Sequence, residues 1–291
     1  LISIIICSRD AKVAEAISQN VAATIGTPYE LVIIDNSQKH YGICAAYNLG
    51  AAKAQYDLLC FMHEDLYFQT PNWGDLVAAA LADTTIGIAG IAGGTYQVCA
   101  PASWNSFGTE YIIMNVVQHT ATGEQKLEQL LPNDDKLFEV AAVDGLWMCC
   151  RKQVWQEFKF DETAFPDFHF YDIDFCTRVF TRYKVVVIST ILVEHFSQGS
   201  YNKSWYWNAL KFYNMRKKYL PFGTVELTAV KERKIRLQAL QAFIAGYIDY
   251  DISFWQFFIL LIKCFAIEPL NKDSLWLAKK YVKVKMLSGE I

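Results

Sequence analysis

The stretch Ile2-Ser3-Ile4-Ile5-Ile6-Cys7-Ser8-Arg9-Asp10, continued by Ala11 to Thr24 and then by Leu31-Val32-Ile33-Ile34-Asp35-Asn36-Ser37, decides the fold. Uninterrupted apolar runs of this length suit strands covered on both faces, and an Ala-rich segment between two of them suits a crossover helix. Strands are predicted at Ile2 to Cys7, Leu31 to Ile34, Asp57 to Met62 and Ile86 to Ile91. Helices are predicted at Asp10 to Thr24, with Gly26 as its stop, and at Ile43 to Ala54. A βαβαβ order implies a parallel sheet with right-handed crossovers, whose ligands bind beyond the carboxyl ends of the strands. Ser8-Arg9-Asp10, Asp35-Asn36-Ser37 and His63-Glu64-Asp65 all fall there.

Further along, a hairpin is expected around Thr122-Gly123, strands at Val140 to Cys150 and Val185 to Val193, and aromatic-rich helices from Ser204 onward. A boundary near Pro221-Phe222-Gly223 divides a first unit, residues 1–220, from a helical extension, residues 221–291. With 291 residues, 53% of them hydrophobic, the chain can build a full core. A net charge of −3 offers no basic field for nucleic acid. The 8 cysteines form no C-x-x-C pair and several sit in apolar strands, which favours a reduced, cytoplasmic setting. The first six residues are too short for a signal peptide, and Leu1 in place of Met suggests a trimmed start. Phe254 to Ile267, interrupted by Gln256 and Lys263, is too short to span a bilayer.

Three distant segments carry the chemistry: Phe61-Met62-His63-Glu64-Asp65, Phe170-Tyr171-Asp172-Ile173-Asp174 and Glu194-His195. Carboxylates and a histidine in this order suit a divalent cation on a diphosphate, with a separate base. The glycine-rich Gly87 to Gly94 lacks the G-x-G-x-x-G order and reads as tight packing. No G-x-x-x-x-G-K-[ST] loop and no G-x-S-x-G elbow is present.

Taken in order, SIIICSRD, LVIIDNS, GICAAYNLGAAKAQYDLLCFMHEDL, VDGLWMCCRKQVW, FYDIDFCTRV and LVEHFSQGS resemble glycosyltransferase family 2 enzymes of the GT-A fold, over about the first 200 residues. The resemblance implies an α/β, Rossmann-like, mostly parallel sheet flanked by helices. It also implies an inverting transfer from a nucleotide-diphosphate sugar, UDP-sugar by default, to a glycan or lipid-linked acceptor in polysaccharide biosynthesis, with Mn or Mg. The family's Asp-x-Asp is His63-Glu64-Asp65 here, so only its last aspartate is kept. Asp65 is the first choice as metal ligand, His63 suits a softer ion such as Mn, and His195 matches the later histidine of the metal site. Glu64 is placed beside the nucleotide as a neighbour. For Asp65 the plain alternative is a solvated acidic loop, and for His195 a strand-end hydrogen bond.

Residues two apart on a helix are rotated by roughly 200°, so Asp172 and Asp174 cannot face one pocket. Asp174 has Arg178 at ion-pair spacing, read as surface decoration. Asp172 is left unpaired at the helix start, where the resemblance places the family's catalytic aspartate; it is the candidate base, with a helix cap as its alternative, and burial and the helix dipole push its pKa in opposite directions. The resemblance puts Asp35 on the nucleoside, with a plain turn as the alternative. Asn48 lies in a stretch where Tyr47 replaces a common arginine, so Arg9 or Lys203 supplies the phosphate-side cation. Ser8 and Arg9 line the nucleotide side. The resemblance implies that Asp144, Gly145 and Trp147 line the sugar and acceptor side, although the apolar neighbours of Trp147 favour core. Ser197 to Ser200 has loop composition suited to closing over the donor. Residues Trp205 to Tyr219 and Phe254 to Phe265, followed by Lys279, Lys280, Lys283 and Lys285, give a second reading, a peripheral contact with the inner face of an anionic membrane, against a favoured reading of core plus solvated helix. The rival function is a GT-A-like module that binds nucleotide sugar without catalysis.

Overall fold

The isoleucine run at the start forms an inner strand of the large sheet, one strand in from its edge, and is buried on both faces as its lack of polar alternation requires. The computed structural model describes residues 1–287 apart from Ala121, Gln198 and Ser200. The first half runs β1 (Ile2–Ser8), α1 (Ala11–Thr24), β2 (Tyr29–Asp35), α2 (Ile43–Lys53), β3 (Leu58–Met62), β4 (Leu66–Phe68), α3 (Trp73–Ala82), β5 (Ile86–Gly90), β6 (Ala92–Gly94) and β7 (Tyr96–Gln97). Then come β8 (Ile112–His119), β9 (Gln125–Leu130), β10 (Leu137–Val140), β11 (Ala142–Val143), β12 (Trp147–Arg151), α4 (Lys152–Phe158), α5 (Tyr171–Val179), β13 (Lys184–Ile188) and β14 (Val193–His195). The chain closes with α6 (Lys203–Arg216), β15 (Phe222–Gly223), α7 (Ala229–Tyr247), α8 (Phe254–Ile267) and α9 (Lys272–Leu287).

A seven-stranded sheet has the order β10-β13-β5-β12-β3-β1-β2, in which only β10 and β12 run against the rest. A second sheet, β11-β6-β8-β14-β4 with β9 hairpinned onto β8, stands beside it. The early elements match the sequence reading. Asp10 caps α1 by accepting from the Lys12 amide at 2.8 Å, and Gly26 takes a left-handed φ of 72° that ends it. The hairpin turns at Thr122-Gly123, and β5 and β6 bury the glycine-rich run as tight packing. Six of the eight cysteines are buried, and all are free.

Some expectations are corrected. Val140 to Cys150 is not one strand. It breaks into β10, β11 and β12, with a turn at Asp144-Gly145. Likewise Val185 to Val193 divides into β13 and β14, which belong to different sheets. Apolar content marks burial but does not register a bend between sheets. As the edge strand, β2 is only half covered and leaves Ile33 exposed.

Asp174 is no surface decoration. Its carboxylate is buried and accepts from Arg178 Nε at 2.8 Å and from Arg216 Nε at 2.6 Å, while Arg216 also reaches Asp161 at 3.0 Å. The helical spacing places this cluster on the side of α5 away from Asp172, and α6 is tied to α5 through it. Among the described residues no helix is long and apolar enough to cross a membrane. Aromatic contacts join the extension to α6: Tyr206 stacks on Tyr247 with centroids 5.5 Å apart. Removing one partner of a buried ion cluster strands the others. Asp174→Ala is therefore expected to cost about 3–5 kcal/mol in urea unfolding. A loss below about 1 kcal/mol would show that the cluster behaves like an exposed pair.

Candidate active site

The carboxyl ends of β1, β2 and β3 meet at one edge of the large sheet, with Ser8 directly opposite Asp35 in the parallel register. Glu64, just past β3, closes this edge. Its carboxylate accepts from the Ser8 hydroxyl at 2.6 Å and from the Arg9 amide at 3.1 Å. Glu64 thus organises the loop after β1. Asp35 is exposed and accepts from the Ser37 amide at 2.9 Å, a bond that lowers its pKa. Arg9 and Lys203 are exposed. Asn48 turns away from this edge and spends its amide on Trp155 Nε1 at 3.0 Å and on the backbone of Phe160.

Antiparallel pairing of β4 with β14 sets His195 opposite Leu66, and so beside Asp65. His63, Asp65 and His195 each present one ligand atom, all within 4.8 Å of one another. The adjoining strand β8 supplies a residue that sequence reasoning missed. Gln118 lies opposite His195 in the parallel register, with its Oε1 3.1 Å from His195 Nδ1. The amide nitrogen of Gln118 faces the carbonyls of His195 and Ser197, which fixes the oxygen as the atom toward the ring. Since that oxygen only accepts, Nδ1 carries a proton, and Nε2 lies 3.2 Å from the Ser197 hydroxyl. Nε2 sits 3.8 Å from Asp65 Oδ2.

His63 is anchored by the Tyr171 hydroxyl, 2.9 Å from its Nε2. Burial lowers its pKa against the opposing pull of Asp65, which favours the neutral imidazole that a metal needs. Two imidazoles and one carboxylate form a donor set suited to a divalent cation. Tyr171 belongs to a segment the sequence singles out, but only the fold shows its reach to His63.

Asp172, on the first turn of α5, faces a cleft of about 840 Å³ that His63, His195 and Asp144 also line. It does not cap the helix. The N-cap is Phe170, and Asp172 Oδ2 instead accepts from the Gly145 amide at 3.0 Å. Burial, then the nearby Asp144 carboxylate, raise its pKa to about 7, so burial outweighs the hydrogen bonds at the helix start. Asp144 accepts from Trp104 Nε1 at 3.2 Å and from the Leu146 amide at 2.8 Å. Gly145 touches Tyr171 so closely that a Cβ would lie 2.1 Å from the hydroxyl oxygen.

Trp147 is a correction. It is fully buried among Phe68 and Trp73 and cannot stack on a sugar; its side chain points into the core from β12. Aromatic surface in the cleft comes instead from Phe168 and Tyr201, 42% and 51% exposed. Of the loop Ser197 to Ser200, Gln198 and Ser200 lie outside the described residues; Ser197 and Gly199 border the cleft.

No curated protein sequence matches the chain. Among solved structures, residues 1–349 of TarS from S. aureus in complex with UDP align over 99% of this chain and 91% of that one, at 12% identity and a TM-score of 0.51. A mannosyltransferase from Pyrobaculum calidifontis in complex with GDP-Man and Mn2+ aligns over 99% and 86%, at 11% identity and a TM-score of 0.49. GalNAc-T7 with UDP, GalNAc and Mn2+ aligns over 68% of this chain at 15% identity and a TM-score of 0.49, and the chain spans only 43% of that protein. The TarS alignment, nearly end to end, supports the expected GT-A architecture with its helical C-terminal extension. Residues 3–220 match the family described as "Glycosyltransferase like family", and the chain belongs to that family.

Proposed function

We propose that the protein is an inverting, metal-assisted glycosyltransferase that moves a sugar from a nucleotide-diphosphate donor to an acceptor hydroxyl. One observation carries this reading: Asp172, with a pKa near neutrality, opens onto the same cleft as His63 and His195 of the candidate cation cluster. The donor nucleotide lies along Ser8, Arg9 and Asp35 at the sheet edge, where the loops end, and the acceptor lies in the cleft. UDP is the first nucleotide to test, since the TarS structure that shares this fold is a complex with UDP.

His63, Asp65 and His195 would hold the cation, which would supply positive charge to offset that of the diphosphate leaving group. The remaining work falls to the chain's own groups. Asp172 accepts the proton of the acceptor hydroxyl while that oxygen bonds to the anomeric carbon and the bond from this carbon to the diphosphate oxygen breaks. The Gly145 amide holds the Asp172 carboxylate in place during this transfer. Phe168 and Tyr201 offer apolar faces to the acceptor. A binding module without catalysis would not need a carboxylate poised near pH 7 beside the cation cluster, and it would release no UDP from a UDP-sugar in Mn.

Asp172→Asn is expected to keep UDP binding and to lower turnover by roughly two to four orders of magnitude in a UDP-release assay. Wild-type turnover is expected to rise as pH increases through about 7, because the base acts only when deprotonated. Stability moves the opposite way. The folded pKa lies above the unfolded one, so the stability contributed by the protonated form is complete below about pH 4 and is lost as pH rises through about 7. Asp172→Asn should therefore melt higher than wild type at about pH 8 and equally at about pH 3.5; the reverse order would contradict the buried carboxyl. His195→Ala is expected to weaken Mn binding, measured calorimetrically with UDP present, by at least about tenfold, and Gln118→Ala by about tenfold through loss of ring orientation. Unchanged Mn affinity in His195→Ala would remove the cluster from the account.

A further inference from the structure

The sequence reading favours burial for the aromatic residues of α8, and the structure does not bury them all. One face of this helix packs inward through Phe257, Leu260, Leu261 and Cys264. The opposite stripe, Phe254, Trp255, Phe258, Ile259 and Ile262, is 42–69% exposed, with Trp255 at the upper end. The spacing i, i+1, i+4, i+5, i+8 gathers these five onto one side. A helix apolar all round is not a soluble surface helix; its outer face needs an apolar medium. Fourteen residues rise about 21 Å, short of the roughly 30 Å hydrocarbon core, so the medium is entered and not crossed.

The neighbouring helix indicates which medium. α9 packs on α8 through the ring stack of Phe257 on Tyr281, with centroids 4.0 Å apart. On its exposed side Lys272, Trp276, Lys279 and Lys283 recur at i, i+4, i+7 and i+11. By contrast, Lys280 and Lys285 are paired with Asp249 and Asp251. Residues 221–291 hold ten Lys and Arg against seven Asp and Glu, while residues 1–220 hold 17 against 23. The basic excess is therefore confined to the part of the chain that exposes the apolar stripe. Phe and Trp beside a row of lysines match the depth profile of a leaflet, with rings at the acyl boundary and ammonium groups at the phosphates.

We infer that α8 and α9 form a docking surface for an anionic phospholipid leaflet, with the α8 stripe inserted and Lys272, Lys279 and Lys283 on the headgroups. This surface is independent of the transfer reaction and makes the protein a peripheral membrane enzyme.

The test is flotation of the whole chain with phosphatidylcholine vesicles containing about 30 mol % phosphatidylglycerol, and with pure phosphatidylcholine vesicles. Expected are capture by the anionic vesicles, at least about tenfold weaker capture by the neutral ones, and release as salt is raised. Two variants, Phe254→Ser/Phe258→Ser/Ile262→Ser and Lys272→Glu/Lys279→Glu/Lys283→Glu, change exposed side chains only. Each is expected to lose capture by at least about tenfold while keeping the wild-type circular dichroism spectrum and UDP binding. The inference is overturned by absence of capture on anionic vesicles, by capture of both variants equal to that of the wild type, or by a dimer that the triple serine variant dissolves while no vesicle binds. Loss of UDP binding in the wild type would instead count against the transferase reading and leave flotation unaffected.

Discussion

The site depends on the close approach of Gly145 to the start of α5. At this point the chain leaves one sheet for the other, and the absence of a Cβ lets Tyr171 pass against the backbone. Two consequences follow from one contact. The Tyr171 hydroxyl reaches His63 of the candidate cation cluster, and the Gly145 amide reaches Asp172, the proposed base. A side chain at Gly145 would displace the Tyr171 ring, and with it the hydroxyl that lies against His63.

Around that contact the fold divides labour between its sheets. The large sheet aligns Ser8, Asp35 and Glu64 at the ends of parallel strands, where polar groups meet at an edge without further design. The second sheet brings Asp65, His195 and Gln118 into register through β4, β14 and β8. Behind α5, Asp174 takes the charge of Arg178 and Arg216 and holds the helix against α6, so Asp172 is presented to the cleft by a helix fixed at its rear. The raised pKa of Asp172 comes from the same burial that orders it. Burial costs the folded state some stability at high pH and leaves a carboxylate able to take a proton near neutrality.

The βαβαβ opening was legible because strand and helix periods are local properties, and Ile2 to Met62 states them without ambiguity. The opposite facing of Asp172 and Asp174 was also legible, since it follows from helical rotation alone. What Asp174 faces was not, because Arg216 lies 42 residues away. Gln118 was invisible for the same reason; its meaning arises only when β8 runs beside β14. The apolar neighbours of Trp147 already favoured core over a sugar contact, whereas Phe168 and Tyr201 sit in loops whose composition is unremarkable. For α8, composition says apolar but not which face the rest of the chain covers.

The central claim is that one cation site and one base face a common crevice, with the nucleotide at the sheet edge between the loops. Anomalous scattering at the manganese edge from crystals grown with Mn and UDP tests it most directly. The account predicts a manganese peak about 2.0–2.4 Å from ligand atoms of Asp65 and His195, with the UDP diphosphate on the same ion and the uracil end toward Asp35. A manganese peak remote from Asp65 and His195, or UDP bound away from the ends of β1 to β3, would contradict it.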